Sequence, residues 1–307
     1  MKWIVTGGCG FIGSHLCEAL LAAGDRVRIL DDLSTGKLAN KPEAAELVEG
    51  DVADPVAVAR ALAGTDGCFH LAAIASVEKG NRDWLGTHRS NLTGAITIFD
   101  AARRACDGKP VPVVYASSAA VYGDNAQVPL GEDAAARPLS AYGADKLGCE
   151  LHARVASHVH DVPTVGLRFF NVFGPRQDPS SPYSGVISIF ADRLKAGRPI
   201  VIFGDGRQTR DFVYVGDVVA ALLAAMRVLP PASPVFNVCT GRATSVVDIA
   251  RMIAGLCGVT AAIEFQPARA GEARVSLGDP TRAAAVLGIA ASTSLPDGLA
   301  RLLGASG

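Results

Sequence analysis

Short apolar, β-branched runs alternate along the chain with longer stretches in which apolar residues recur at helical spacing. The runs lie at 3–6, 26–30, 67–72, 111–116 and 162–168, and the helical patterns at 12–23, 55–63, 88–106 and 140–160. Such alternation predicts βαβ units, a parallel sheet and right-handed crossovers. The pattern weakens after about Asn171. Gly, Pro and Ser thicken over Gly174 to Gly185 and predict a surface loop. Helix 186–196, strand 199–203, helix 216–228, strand 234–238, helix 245–257 and strand 260–265 follow. The Ala-rich pieces at 219–225 and 283–286 are plain helix formers. No internal repeat or low-complexity tract interrupts the chain. The expected division is a first domain over 1–171, joined by an interleaved contribution from about 208–240, and a smaller α/β lobe over 172–307.

Composition narrows the classes. A chain of 307 residues, 49% hydrophobic and 19% charged, is long enough for a large core with a smaller lobe. A formal net charge of −1 gives no electrostatic case for nucleic acid or an anionic membrane surface. The seven cysteines, at 9, 17, 68, 106, 149, 239 and 257, are scattered and form no Cys-x-x-Cys. That inventory suits reduced thiols in the cytoplasm rather than a disulfide framework or a zinc site. His158 and His160 have no acid or cysteine cluster beside them and read as solvated helix-end residues, so no metal is expected. The glycine turn interrupts the N-terminal apolar run too early for a signal peptide. No stretch is apolar for long enough to span a bilayer.

The chemistry begins with the first thirteen residues. Lys2 to Thr6 reads as a strand, Gly7-Gly8-Cys9-Gly10-Phe11-Ile12-Gly13 as a turn, and Ser14 to Ala23 as a helix. Strand, glycine-rich turn and helix make the phosphate cradle of a Rossmann-type doubly wound sheet. Glycine tightens the turn, lets backbone approach a pyrophosphate and lets helix pack on strand. The helix N-terminus adds free N–H groups and a positive dipole end. The second strand ends in Asp31, roughly 20 residues beyond the first glycine, where an acid binds ribose hydroxyls and repels a 2′-phosphate. NAD is therefore expected rather than NADP. Ser117 and Ser118 end another strand, at the sheet edge where ligands bind. Tyr142 and Lys146 stand at i and i+4 and share one helix face. Free tyrosine, with a pKa near 10, is a poor base at neutral pH. A nearby ammonium and the positive nicotinamide favour the phenolate, so Tyr142 could take a hydroxyl proton while Ser118 holds the same oxygen.

With these residues in place the chain resembles the extended short-chain dehydrogenase/reductases, in their nucleotide-sugar epimerase/dehydratase branch. The likeness covers nearly the whole length. It includes Thr6 to Gly13, Asp31, Gly50-Asp51-Val52, His70 to Ala73, Asn91, Ser117-Ser118, Val121-Tyr122-Gly123, Tyr142 to Lys146, Arg168 to Gly174, and Arg210 to Val213. The resemblance implies that Gly7, Gly10, Phe11, Ile12, Gly13, Asp31, Asp32, Asn91 and Phe169 serve the cofactor with Tyr142 and Lys146. Asp51 and Val52 would flank its adenine, and Leu71, Ala72 and Ala73 would lie along it. Asn171, Arg210 and Arg269 match positions that bind a substrate diphosphate, Glu272 a position on the uridine ribose, and Val201 to Phe203 a segment beside the nucleobase. Ser117 and Ser118 would reach the sugar. Two arginines suit a pyrophosphate physically. Without the resemblance, Arg210 suits an ion pair with Asp211 and Arg269 a solvated surface charge.

The residues after Ser118 discriminate among reactions. Relatives that eliminate water resemble Thr-Asp-Glu there, because elimination needs an added acid and base; related decarboxylases carry Glu at the second of those places. This chain has Ala119 and Ala120. What remains is return of the hydride, with inversion at C4 if the 4-keto sugar turns over first. The resemblance thus implies an NAD-dependent 4-epimerase acting on UDP-Glc/UDP-Gal and on UDP-GlcNAc/UDP-GalNAc. Ser276 falls where a gating residue faces the C2 substituent, and a small residue there admits N-acetyl sugars. An epimerase of a UDP-uronate or dTDP-sugar remains an alternative, as does a non-catalytic NAD-binding regulator, against which the retained Tyr142, Lys146, Arg210 and Arg269 weigh. In this family dimers form through two helices per subunit, here 88–106 and 140–160.

Overall fold

Val5 and Thr6 pair with Ile29 and Leu30 on one side and with Phe69 and His70 on the other. This central pairing organises the chain. The computed structural model describes residues 1–125, 127–179, 185–268 and 274–304. Its first strands are β1 (Lys2–Thr6), β2 (Arg26–Asp31), β3 (Glu46–Glu49), β4 (Gly67–His70), β5 (Val113–Ser118) and β6 (Thr164–Phe169). Then come β7 (Asn171–Phe173), β8 (Ile200–Phe203), β9 (Thr209–Tyr214), β10 (Val235–Val238), β11 (Ala243–Ser245), β12 (Ile263–Gln266) and β13 (Val275–Ser276). Seven of these make one parallel sheet in the order β10-β6-β5-β4-β1-β2-β3. All residues of β4 and β6 are buried, which is why both are mainly apolar: a parallel sheet is covered on both faces, and the polar His70, Thr164 and Arg168 are buried with them.

The helices are α1 (Phe11–Ala22), α2 (Pro55–Leu62), α3 (Val77–Arg82), α4 (Trp84–His88), α5 (Gly94–Ala102), α6 (Ala141–His160), α7 (Val186–Lys195), α8 (Val215–Val228), α9 (Val246–Leu256), α10 (Thr281–Leu287) and α11 (Leu295–Leu303). Leu16 and Leu20 of α1 and Val218 and Leu222 of α8 cover one face of the sheet, against Val5, Ile29, Phe69 and Val114. Val58 of α2, Ile98 and Phe99 of α5 and Ala153 of α6 cover the other, against Ile4, Leu30, Cys68 and Val113. A separate core joins α7, α9 and α11 to β8 and β9 through Phe190, Ile202, Phe212, Ile249, Ile253 and Leu299. In that lobe β7 and β13 pair parallel with β9, and β11 pairs antiparallel with it. β12 pairs with β8.

The expected α/β architecture is present, with local differences, and β7, β9, β11, β13 and α11 add to the expected elements. β3, Glu-Leu-Val-Glu, is a short edge strand with too few apolar residues to announce itself. The helix expected over 88–106 begins at Trp84 and ends at Ala102, and its middle, Arg89–Thr93, is a π turn. The strand expected over 67–72 stops at His70. All seven cysteines are free. Among the described residues no helix is long and apolar enough to cross a membrane, and no group of His, Cys, Asp and Glu could hold a metal.

Winding reverses between β1 and β4: the chain runs outward through β2 and β3, then returns to build β4, β5 and β6 on the other side. A crevice at such a switch point, outside the carboxyl ends of the strands, is where open α/β sheets bind ligands.

Candidate active site

A cavity of about 740 Å³ occupies that crevice. Its floor is the glycine turn. Gly7 has φ +68, and a Cβ there would stand 2.8 Å from the Ala72 nitrogen. A Cβ on Gly13 would stand 2.1 Å from the Gly7 carbonyl oxygen. Only glycine fits either place, so β1, α1 and the end of β4 meet backbone to backbone. Gly10 is the N-cap of α1 and offers no side-chain cap, and the first turn holds no acid. The N–H groups at this helix end therefore face the cavity for a ligand, an arrangement suited to phosphate.

Asp31 ends β2 with its side chain in the cavity wall. It is 6% exposed and accepts from the backbone N–H of Cys9 and of Leu33, both at 2.9 Å. Burial pushes its carboxyl above the usual range, against the pull of those donors. Asp32 is also in the wall and accepts from the Ser34 backbone and hydroxyl. Asp51 and Val52 line the next stretch. Asp51 accepts from the Ala53 N–H and pairs with Arg89. Beyond β4, Leu71, Ala72 and Ala73 line the wall. The Thr6 hydroxyl oxygen accepts from the N–H of Leu71 and of Ala72, both at 3.1 Å, and lies 2.8 Å from His70 Nδ1. With both N–H groups donating to it, the hydroxyl gives its own proton to His70 Nδ1. His70 is thereby held neutral, its pKa pushed down to about 3 by burial and by the Lys146 ammonium.

Ser118, Tyr142 and Lys146 converge on the cavity from two elements. Ser118 closes β5, and its Oγ accepts from the Ala120 N–H at 3.2 Å, leaving the hydroxyl proton to donate elsewhere. Ser140 caps α6 by accepting from Gly143 N–H, which starts the helix just before Tyr142. Lys146 is 3% exposed; its Nζ donates to the Ala116 carbonyl at 2.8 Å and sits 5.9 Å from the centre of the Tyr142 ring. Phe169 and Asn171 complete this end. Among the described residues the acids in the cavity wall are Asp31, Asp32, Asp51 and Asp178; Ala119 and Ala120 follow Ser118 without adding another.

Two expected ligand residues do other work. Asn91 is 1% exposed and lies outside the cavity wall: its Oδ1 accepts from Ile74 N–H at 2.8 Å and its Nδ2 donates to the Ile74 carbonyl. The π turn of Arg89–Thr93 carries Asn91, which holds the wall segment after β4 through Ile74. Ser117 adjoins the cavity, but its hydroxyl donates to Glu150 at 2.5 Å, inside the protein. Val201, Phe203, Arg210 and Ser276 stand outside the wall of this cavity. Ser276 pairs with Arg210 across the parallel β13–β9 register, so their side chains share a face. Asp211 faces the opposite way, buried, and accepts from Thr240 and from the Gly241 N–H. Arg269 and Glu272 lie outside the described residues.

Sequence reasoning missed a strap. The segment after β7 contributes Arg176, Gln177 and Asp178 to the wall. Asp178 pairs with Lys37, from the loop after β2, at 2.9 Å. Arg176 holds both oxygens of Glu18 on α1 at 2.6 Å, and the Pro175 carbonyl accepts from His15 at 2.9 Å. The polar run Arg-Gln-Asp within the loop was the available signal.

Sheet order, uncapped glycine turn and the serine, tyrosine and lysine group together define a Rossmann-type dinucleotide-binding protein equipped for proton transfer. More narrowly, the chain belongs to the NAD dependent epimerase/dehydratase family, whose model matches residues 3–239. It is 39% identical over 310 residues to a UDP-glucose 4-epimerase of Mycolicibacterium smegmatis, covering 98% of this chain and 97% of that one. Its fold is similar to the crystal structure of a Thermotoga maritima UDP-glucose 4-epimerase with UDP-glucose, with a TM-score of 0.94, 34% identity and coverage of 99% and 98% of the two chains. A UDP-N-acetylglucosamine 4-epimerase of Methanobrevibacter ruminantium, in complex with UDP-N-acetylmuramic acid, is similar with a TM-score of 0.93, 32% identity and coverage of 99% and 97%.

Proposed function

We propose that this chain is an NAD-dependent nucleotide-sugar 4-epimerase that interconverts UDP-Glc and UDP-Gal and also takes UDP-GlcNAc and UDP-GalNAc. The observation that carries the reading is the convergence of Ser118, Tyr142 and Lys146 on a cavity whose acids stand at Asp31, Asp32, Asp51 and Asp178. Gly7, Gly10, Phe11, Ile12 and Gly13 would hold the cofactor's pyrophosphate, and Asp31 and Asp32 its ribose. Bound there, NAD supplies a hydride acceptor at C4 that later gives the hydride back.

The chain's own residues handle the proton and the geometry. Ser118 donates a hydrogen bond to the sugar O4. Tyr142 takes the O4 proton, and the Lys146 ammonium stabilises the negative charge on the phenolic oxygen. The same tyrosine returns the proton after the 4-keto sugar has presented its other face. With Ala119 and Ala120 where elimination would need an acid and a base, C5 keeps its proton and C6 its hydroxyl. Asn171, Arg210 and Arg269 would hold the diphosphate, Glu272 the uridine ribose, and Val201 and Phe203 the base. Ser276, on the same strand face as Arg210, leaves room for a C2 acetamido group.

The same reading divides the chain into an NAD-binding domain over 1–171 with 208–240, and a UDP-sugar lobe over the remainder. It also makes the protein a homodimer through the helices expected at 88–106 and 140–160. Ile96 on α5 and Leu151, Val155 and Val159 along α6 are 37%, 59%, 49% and 60% exposed, an apolar edge that a second copy would cover. Seven unpaired thiols suit the reducing cytoplasm.

Purified protein should be incubated separately with UDP-Glc, UDP-GlcNAc and UDP-GlcA, and the C4 epimers resolved. Epimerisation of the first two with no added cofactor is the expected result. Net consumption of NADPH, a 6-deoxy product, or turnover of UDP-GlcA alone would overturn the assignment.

A further inference from the structure

Behind the strand ends that carry Ser118 and Phe169 lies a buried polar network that the proposed chemistry does not use. Arg168 of β6 is 5% exposed. It grips the Glu150 carboxylate with two parallel bonds, Nε to Oε1 at 2.8 Å and Nη2 to Oε2 at 2.7 Å. The Ser117 hydroxyl donates to the same Oε1 at 2.5 Å. The third Arg168 nitrogen, Nη1, donates to the Tyr122 hydroxyl at 2.9 Å and to the Glu132 carbonyl at 3.0 Å. Tyr122 passes the chain on to Asn237 at 2.7 Å.

A buried ion pair is weak evidence for stability, because well-packed apolar residues of the same volume do as well or better. Its value here is in what it joins. Glu150 stands one helical turn beyond Lys146 and two beyond Tyr142 on α6. Ser117 is bonded directly to Ser118. Arg168 is bonded directly to Phe169, which lines the cavity. One carboxylate thus ties the strand of Ser118 and the strand of Phe169 to the helix of Tyr142 and Lys146.

We propose that Glu150 and Arg168 are positioning residues for the reaction: the pair sets the separation of Ser118 from Tyr142 and Lys146, and its charges cancel beneath them. This rests on the 4-epimerase reading. Bidentate geometry makes the setting rigid, and a misplacement of about 1 Å can cost roughly a hundredfold in rate.

Charge cancellation gives the proposal a distinctive signature. A rise of about 1.5 Å per residue puts Glu150 some 12 Å from Tyr142 along α6. At that range a lone charge moves a titration by about one pH unit for an effective dielectric near 20. The other ionisable groups facing the pair include Tyr115 of β5, Tyr122, Cys149 and Lys146 of α6, and the carboxylates of Glu132 and Asp133, both of which meet Arg282. Burial holds Tyr115, Tyr122 and Cys149 neutral, pushing each above its ordinary pKa, so none of them masks an unpaired Arg168.

The test compares kcat, KM, bound NAD and the pH profile of kcat in Glu150→Gln, the double variant Glu150→Gln/Arg168→Gln, Ser117→Ala and Tyr142→Phe. Glu150→Gln leaves Arg168 an unbalanced cation. Its kcat should fall roughly ten- to a hundredfold with KM and NAD content within about twofold, and the acid limb of the profile should move down by about one pH unit. The double variant, with both charges gone, should restore the limb while kcat stays low. Ser117→Ala removes a single bond and should lower kcat roughly three- to tenfold with an unmoved profile. If Glu150→Gln does not fold, the double variant and Ser117→Ala decide the matter. An unmoved acid limb in Glu150→Gln, or losses confined to KM and thermal stability, would overturn the positioning role, as would full kcat in both Ser117→Ala and the double variant. Tyr142→Phe separates the two readings: if it still epimerises, the reading of the reaction fails, whereas a dead Tyr142→Phe beside a normal Glu150→Gln removes only this proposal.

Discussion

The crevice and the proposed sugar-nucleotide end of the molecule are built in different ways. At the cofactor end the cradle is local: Gly7, Gly10 and Gly13 sit within one strand–turn–helix unit, and Asp31 closes the next strand. The constraint there is backbone against backbone, with a Gly13 Cβ only 2.1 Å from the Gly7 carbonyl oxygen. The residues proposed for the sugar nucleotide come instead from β8, β9 and β13, outside the wall of the crevice, distant in sequence and joined by register: Ser276 stands beside Arg210 only because β13 pairs with β9. A site made of one supersecondary unit tolerates little change, since its residues are their own scaffold. A site assembled across strands leaves single positions free to vary, and there specificity can drift without loss of fold.

The largest test of this contrast is Tyr142→Phe, which removes the base but little volume. Turnover should fall at least roughly 10²–10⁴-fold, the usual worth of general-base catalysis, while UDP-sugar binding by calorimetry stays close to that of the unaltered protein. Near-normal turnover would mean that another group takes the proton. The sugar-nucleotide end is tested by Ser276→Tyr. Overpacking a filled site costs about 1–3 kcal/mol, and each 1.36 kcal/mol is about tenfold in rate. UDP-GlcNAc epimerisation should therefore drop roughly ten- to a hundredfold relative to UDP-Glc. Equal losses on both sugars would show that residue 276 supports the lobe generally, and the contrast would blur.

Acid should act on the cofactor end through His70. Its pKa in the fold is pushed from the usual 6.5 down to about 3, so as pH falls below 6.5 the unfolded chain takes up a proton that the folded chain refuses. The stability this neutral imidazole contributes is complete above pH 6.5 and is lost as pH falls toward 3. Between about pH 7 and 5 the loss amounts to ~2 kcal/mol, measurable by urea unfolding. His70→Gln has no such proton to accept and should show a flatter pH dependence; identical slopes would assign the acid sensitivity elsewhere. The smallest effect belongs to Lys37→Ala. The Lys37–Asp178 pair is largely exposed, and such pairs are individually weak, so NAD should leave the variant only severalfold faster, in a stopped-flow or dilution assay. Release unchanged in rate would detach the strap from cofactor retention.

Most of the large sheet was legible because a parallel strand buried on both faces is predominantly apolar, as β4 and β6 are apart from His70 and from the buried Thr164 and Arg168. The parts that were not legible share a physical cause. β3 lies at an edge and carries Glu at both ends. β9, Thr-Arg-Asp-Phe-Val-Tyr, puts its polar half against loops, where Asp211 gathers backbone N–H groups. Asn91 reads as a ligand residue in sequence, yet the π turn rotates it onto Ile74. Ser117 reads as a twin of Ser118, but alternate strand residues face opposite sides, and only one of the two can face the cavity with its hydroxyl. Residue type and spacing announced the chemistry; which way a side chain turned depended on partners, Ile74 and Glu150, that no local pattern names.

The strap from Pro175 to Asp178 has a consequence for how long a mistake lasts. An epimerase that keeps its cofactor depends on recovering every hydride it removes. If the strap holds the cofactor in, a 4-keto sugar that escaped before the hydride returned would leave the protein reduced and idle until the clasps of Lys37 on Asp178 and of Arg176 on Glu18 came undone. Both clasps are ionic and partly exposed, so dissolved salt loosens them. Ionic strength would then set the length of this downtime without touching the speed of a successful turnover.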